Sequence, residues 1–172
     1  MPLEKQKKLI IGRLSCLAVV ILLFSVIQNT DGFFPKPFGA SFLLLIPAVT
    51  SVAMHERETV GLFFGLFAGA LWDTSASGNN FHAIYLVIVG YICGLLIKNL
   101  LRSNILTSVI LSVLSLSVFC VGTWFFRYVL TGLDRSAHIL LRYYLPSFLL
   151  SVLISPIIYL IIHAIEKAFK TE

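Results

Sequence analysis

The residues best suited to chemistry in this chain lie in one short segment, which runs from Asp73 to His82. A carboxylate opens the segment, an imidazole closes it, and small polar residues that include Gly78 and Asn80 lie between them. Asn80 and His82 can line the mouth of a ligand site. Such residues more often cap the helix that follows, so we expect Asn80 to be an N-cap and Gly78 to supply a positive-φ turn.

The same segment lacks the groups that an enzyme requires. Ser75 and Ser77 have no plausible general base nearby apart from His82, which argues against a nucleophilic site. The sequence contains no H-E-x-x-H motif, no phosphate-binding glycine loop and no paired carboxylates within an apolar span. Its three cysteines lack metal-ligand spacing, and His55, His138 and His163 have no companion at such spacing. We therefore expect no enzyme, no cofactor and no metal ion.

Asp73 is the ionisable residue most in need of a partner. It follows Trp72, a residue typical of the membrane headgroup region, and a carboxylate below that level must be paired. Arg127 is the predicted partner, with Arg135 and Arg142 as alternatives, and an Asp73–Arg127 pair would fix the third predicted helix to the fifth. The alternative that Asp73 simply begins a polar loop in water stays open.

The composition determines what kind of elements position these residues. Hydrophobic residues make up 58% of the chain and charged residues only 12%, against roughly 25% charged in a soluble domain. The mean hydropathy is +0.95. So much apolar surface requires lipid as a solvent. The net charge of +5 does not indicate nucleic acid, because the basic residues are spread between apolar spans.

The sequence therefore predicts an all-α, polytopic membrane helical bundle that forms one domain over residues 1–172 and has about six transmembrane helices. The predicted helices cover residues 9–27, 38–54, 60–71, 81–97, 105–130 and 141–163. The third is short, because a dozen residues span about 18 Å of a hydrocarbon core of roughly 30 Å. A five-helix arrangement with a re-entrant third segment is the alternative.

The distribution of Lys and Arg favours six crossings. With six spans, nine of the 13 Lys and Arg residues fall on the side that holds both termini and four fall on the other. The richer side belongs in the cytoplasm, so both termini are predicted to be cytoplasmic. The loop from Asp73 to Asn80, which has no Lys or Arg, then lies on the opposite side.

Glycines at four-residue spacing mark two of the predicted helices. Gly61, Gly65 and Gly69 lie along one face of the third helix, and Gly90 and Gly94 repeat the spacing on the fourth. Such faces let helix backbones approach closely in membranes. Packing within the bundle is the simpler interpretation, and a groove for a helix of a separate protein is the other.

Several of these features occur together in an order that resembles a known family. The glycine-spaced helix ends in Ala-Leu-Trp-Asp at Asp73, a short loop with Gly78 follows, and His82-Ala83 precedes Val-Gly-Tyr around Gly90. The stretch from Thr59 to Gly94 thereby resembles the MreD family of rod-shape-determining membrane proteins. The match covers about a third of the chain, and the length, basic N-terminus and span count agree elsewhere.

This resemblance implies a non-catalytic scaffold subunit of the bacterial cell-elongation (rod) complex, located in the cytoplasmic (inner) membrane. The partners it implies are an MreC-like bitopic membrane protein and, through the complex, the MreB filament, RodA and a class B penicillin-binding protein. The expected role is support of cell shape and peptidoglycan synthesis.

Two other function classes remain as alternatives. The substrate-binding component of an energy-coupling-factor vitamin transporter is similar in size, span count and six-helix fold. Such components usually dock through an Ala-x-x-x-Ala face on the first helix, whereas this chain has Gly12, Cys16 and Ala18 without that repeat. A small channel or exporter requires ionisable residues in mid-bilayer, and the predicted spans have none near their centres.

Overall fold

The computed structural model describes residues 2–30, 41–75, 82–100, 102–129 and 136–169, and it confirms the predicted all-α class. The helices are α1 (Pro2–Asn29), α2 (Leu45–His55), α3 (Glu58–Ser75), α4 (His82–Asn99), α5 (Ile105–Trp124), α6 (Ser136–Ile139) and α7 (Leu145–Phe169). A π-helical turn, Phe125–Val129, continues α5, and another, Leu140–Tyr144, joins α6 to α7. The described part of the chain thus forms six continuous helical segments.

The helices have the length and surface of a membrane protein. Four segments are long and apolar enough to cross a bilayer, namely Gln6–Asn29, His82–Asn99, Ile105–Tyr128 and Leu140–Phe169. Large apolar side chains such as Leu106, Val118 and Leu153 are more than half exposed on the outside of the bundle. Apolar surface of this extent suits lipid rather than water. The predicted number of six crossings stays a prediction.

The second and third helices differ from their predicted bounds. Residues 41–44, predicted as helix, are not helical, and α2 has only 11 residues, about 16 Å. The third segment is not the short one, since α3 has 18 residues, about 27 Å.

Side chains of neighbouring helices accept hydrogen bonds from backbone N–H groups in and next to residues 41–44. The backbone N–H of Leu43 donates to Ser151 Oγ at 2.9 Å, and that of Leu45 donates to Gln28 Oε1 at 3.0 Å. Non-helical backbone is tolerated at membrane depth where protein buries it, and Leu43 and Leu44 are both buried.

Helix α2 forms the centre of the bundle. Every residue from Leu45 to Met54 is buried, and α2 contacts α1, α3, α4, α5 and α7. Buried hydroxyls join it to α5, at 3.0 Å between Thr50 and Ser112 and 3.3 Å between Ser51 and Ser108. We call these four residues the hydroxyl seam. Polar contacts of this kind hold helices together where lipid offers no alternative partner.

The helix ends gather into two groups at opposite ends of the bundle. At the first, α3 ends beside the start of α4, and the end of α1 lies beside the start of α2. We call this the His82 end. At the second, the turn between α2 and α3 lies beside Arg13 in the first half of α1 and beside the last turns of α4 and α7. We call this the Glu56 end.

Candidate functional site

The close contact between α3 and α4 accounts for all five predicted glycines. A Cβ added to Gly61 would lie 2.7 Å from the carbonyl oxygen of Gly90, and one added to Gly94 would lie 2.7 Å from Glu58 Cα. Added carbons at Gly65 and Gly69 would collide with the backbones of Leu86 and Ala83. The helices run antiparallel with their backbones touching. We call this contact, formed by Gly61, Gly65, Gly69, Gly90 and Gly94, the glycine seam.

In the glycine seam, α4 occupies the glycine face of α3. The sequence analysis had left that face open as a possible groove for a helix of a separate protein. Real side-chain carbons do not occupy positions this close to a neighbouring backbone, so α4 leaves no space there for a further helix. By contrast, a Cβ added to Gly122 of α5 would meet nothing within 4 Å. Of Gly122 and the five glycines of the seam, only the five at the α3–α4 contact therefore lie where two helices approach closely.

Asp73 has a different partner from the one predicted. Its Oδ1 accepts hydrogen bonds from the backbone N–H of His82 at 3.1 Å and from His82 Nδ1 at 2.8 Å. Its Oδ2 accepts from the backbone N–H of Ala83 at 3.0 Å. The predicted Asp73–Arg127 pair is replaced by this cap, because the first N–H groups of α4 have no partner within their own helix and attract a carboxylate.

The cap also orients the imidazole of His82. An ionised carboxylate only accepts hydrogen bonds, so Nδ1 of His82 carries a proton. The ring stacks on Trp72, with centroids 4.3 Å apart and planes 7° apart, and Phe119 lies 5.3 Å from Trp72. Trp72, His82 and Phe119 together form what we call the aromatic wall. Asp73 thereby fixes the position of the His82 ring in this wall.

A cavity of about 400 Å³ lies beside the aromatic wall at the His82 end. The non-helical residues 41–43 and the end of α1 line another side. Thr123 of α5, Tyr144 of the second π-helical turn and Ser147 of α7 also line the cavity. Arg127 lies on the cavity lining, which is where the structure places the predicted partner of Asp73. The volume falls in the range of small-molecule sites, roughly 300–1,000 Å³.

The side chain of Gln28, at the end of α1, has one amide atom with a hydrogen-bond partner and one without a partner in the described part of the chain. Its Oε1 accepts the N–H of Leu45, as noted above, whereas its Nε2 is buried and has no hydrogen-bond partner among the residues that the structure describes. A buried donor without an acceptor is unfavourable. Sequence reasoning passed over Gln28, because a lone glutamine near the end of an apolar helix looks like an interfacial residue.

The Glu56 end carries ion pairs that the sequence did not reveal. Arg13 Nη2 donates to Glu56 Oε2 at 2.9 Å, and Arg13 Nε lies 2.8 Å from Oε1. The Glu56 side chain is only 7% exposed, so this pair lies inside the bundle and ties α1 to the α2–α3 turn. Lys98 and Glu58 form a second pair at 2.5 Å, with Lys98 62% exposed. The hydrogen bond from Lys98 lowers the pKa of the Glu58 carboxyl from its ordinary value.

Two histidines expected to be isolated lie together at the same end. Nε2 of His55 is 3.2 Å from Nδ1 of His163, and Nδ1 of His55 lies 2.8 Å from the carbonyl oxygen of Ser51. That carbonyl can only accept, so Nδ1 of His55 is the donor. The two histidines are 108 positions apart, which is why spacing along the sequence could not detect the pair.

Gly78 and Asn80 lie outside the described residues, so their predicted roles as turn and N-cap stay predictions. In the described part of the chain, no three His, Cys, Asp or Glu side chains come together as a metal site.

No protein-family model, curated protein or solved structure matches the chain. The resemblance to the MreD family therefore rests on the motif residues themselves.

Proposed function

We propose that this protein is a non-catalytic membrane scaffold of the MreD type, a subunit of the bacterial cell-elongation complex. It lies in the cytoplasmic membrane with both termini in the cytoplasm and binds an MreC-like bitopic protein. Through that partner it joins the MreB filament, RodA and a class B penicillin-binding protein, and it supports cell shape and peptidoglycan synthesis.

One observation carries this proposal: the residues that resemble the MreD motif contact one another. The helix with Gly61, Gly65 and Gly69 packs on the helix with Gly90, and the carboxylate at the end of the first caps the start of the second at His82. The motif thus corresponds to a single packing unit, α3 and α4 with the Asp73 cap. A motif whose parts serve one structural purpose is more specific than its separate short elements.

The chemistry of the described residues also favours a binding role. Asp73 at the α3–α4 junction caps a helix, and Glu56 and Glu58 at the Glu56 end form ion pairs. What the bundle offers in quantity is apolar helix surface, on which a partner helix can pack in lipid. Because the glycine seam is occupied, the partner must bind one of the lipid-facing surfaces instead.

Co-purification tests this proposal. An affinity-tagged chain expressed at native level should retain the MreC-like protein of the same bacterium after extraction in mild detergent. An unrelated bitopic membrane protein expressed alongside it should not be retained. Depletion of the chain should convert rod-shaped cells to round ones. Expression of the Gly122→Leu variant in the depleted cells should restore the rod shape as the wild-type chain does. Failure to retain the MreC-like protein, even after cross-linking in intact cells, would refute the proposal.

The cavity favours one second candidate, the substrate-binding component of an energy-coupling-factor transporter. A site of about 400 Å³ at one end of a six-segment bundle suits solute capture. Such a component must form a complex with a coupling subunit and its ATPases. Recovery of those subunits in place of an MreC-like protein would select this candidate.

A further inference from the structure

Two imidazole rings meet at the Glu56 end, where α2 ends beside the last turns of α7. The nitrogens that face each other, Nε2 of His55 and Nδ1 of His163, lie 3.2 Å apart. A tetrahedral zinc ion holds imidazole nitrogens at about 2.0–2.1 Å, so two such nitrogens on one ion lie roughly 3.3 Å from each other. The two rings therefore have the spacing that a shared metal ion requires.

The backbone of α2 sets the tautomer of His55 in the way that suits a metal ligand. Nδ1 of His55 donates to the carbonyl oxygen of Ser51 at 2.8 Å. In the neutral ring, Nε2 then carries the lone pair that faces His163. Metal-binding histidines almost always donate their other ring N–H to an acceptor of this kind, which orients the ring and makes the bound nitrogen more basic. His55 thus has the supporting hydrogen bond of a metal ligand as well as the spacing.

A buried tyrosine supports both rings. Tyr159, one turn before His163 on α7, stacks on that ring with centroids 5.8 Å apart and planes 6° apart. The centroid of the same tyrosine lies 5.1 Å from that of His55, and Tyr159 is only 5% exposed. The rings are therefore positioned before an ion binds, which lowers the cost of binding. Because His163 is exposed, an ion can reach the pair from water.

We infer that His55 and His163 form a binding site for one divalent transition-metal ion of the kind that imidazole binds, such as Zn²⁺. The ion takes the place of the proton between the two facing nitrogens, and that proton moves to Nε2 of His163, so both rings stay neutral. Water supplies the other ligands, since the described residues add no third His, Cys, Asp or Glu. The bound ion joins α2 to α7, and the inference does not depend on the proposed function.

Zinc binding to the purified full chain, prepared without a polyhistidine tag, tests the inference. His163→Asn removes one ligand at an exposed position, and His55→Asn removes the other. The control is His138→Asn, which makes the same change at an exposed histidine of α6, outside the pair. Equilibrium dialysis at neutral pH measures binding of Zn²⁺ and of Mg²⁺, an ion that prefers oxygen ligands.

We expect the wild type to bind one Zn²⁺ per chain and no Mg²⁺ under the same conditions. The affinity for Zn²⁺ should fall about tenfold or more in His163→Asn and in His55→Asn, and His138→Asn should bind as the wild type does. X-ray absorption by the zinc-loaded wild type should show two imidazole ligands at about 2.0–2.1 Å, which is a measurement that needs no variant to fold.

Three results would overturn the inference. The first is the absence of saturable Zn²⁺ binding by the wild type up to millimolar concentration. The second is Zn²⁺ binding that His163→Asn leaves unchanged, and the third is an absorption spectrum with sulfur ligands. Because none of these measurements involves the MreC-like protein, failure here and failure of the scaffold proposal can be told apart.

Discussion

The glycine seam between α3 and α4 and the hydroxyl seam between α2 and α5 join helices in different ways. In the glycine seam two backbones touch, and the contact depends on the absence of side chains at Gly61, Gly65 and Gly90. In the hydroxyl seam small side chains meet, such as Thr50 and Ser112 at 3.0 Å. Added volume should therefore disrupt the first, whereas loss of one hydrogen bond should weaken the second only slightly.

The largest effect is expected from a bulky residue in the glycine seam. Gly65→Leu places a side chain where the backbone of Leu86 lies, so α3 and α4 must separate and lose their contact. Overpacking of a tight core typically costs about 1–3 kcal/mol and occasionally more, and here rigid backbone blocks relief. We expect little folded protein after purification. The control is Gly122→Leu, at a position with open space, which should purify and unfold as the wild type does. Equal yields of the two variants would contradict the close contact of α3 and α4 in the glycine seam.

Removal of the Asp73 cap should have the next largest effect. Asp73→Ala leaves the N–H groups of His82 and Ala83 without their acceptor and frees the His82 ring. A lost cap of this kind costs about 1–3 kcal/mol. Unfolding in mixed micelles should show this loss, and Asp73→Asn, which keeps one acceptor oxygen, should lose less. If Asp73→Ala unfolded like the wild type, the cap would not support the α3–α4 contact.

A smaller effect is expected in the hydroxyl seam. Thr50→Val keeps the shape of the side chain and removes the hydroxyl, whose oxygen lies 3.0 Å from Ser112 Oγ and which also donates to the carbonyl oxygen of Pro47, one turn earlier in α2, at 2.9 Å. Hydrogen bonds between membrane helices contribute about 0.6 kcal/mol on average and rarely more than about 1.7. The same micelle titration should detect this difference against Thr59→Val, a change at an exposed position of α3. A loss as large as that of Gly65→Leu would erase the distinction between the two seams.

The smallest effect concerns pH at the Glu56 end of the glycine seam. The pKa of Glu58 is lowered by the hydrogen bond from Lys98, so the pair stabilises the fold above the unfolded-state pKa of Glu. That contribution is lost as the pH falls through the lowered pKa. Wild type should therefore melt slightly above Glu58→Gln at pH 7, and the difference should shrink as the pH falls below the ordinary Glu pKa of about 4.5 and vanish below the lowered pKa. A difference that grew toward low pH would have the wrong sign.

The sequence predicted the features that follow from local pattern. Four-residue glycine spacing identified α3 and α4 as helices that pack closely, and the predicted fourth helix, 81–97, agrees with His82–Asn99. The non-helical residues 41–44 could not be predicted, because they are as apolar as a helix. Their conformation depends on serines more than a hundred positions away.

The error at Asp73 has a similar cause. Reasoning from charge selected Arg127, the nearest cation in the predicted topology. The actual donors include uncharged backbone N–H groups, which become attractive to a carboxylate only when a helix begins beside it. Likewise, the His55–His163 pair and the unmet donor of Gln28 depend on which helices become neighbours.

A through-space distance across the glycine seam tests the central claim most directly. A Cβ on Gly90 would lie 2.8 Å from the carbonyl carbon of Gly61, which places Gly90 Cα within roughly 4 Å of that carbon. Glycine labelled with ¹³C at both carbons makes this pair visible by solid-state NMR in lipid bilayers. We predict a cross-peak between Gly61 and Gly90, and its absence while both residues give strong intraresidue signals would contradict the packing of α3 against α4.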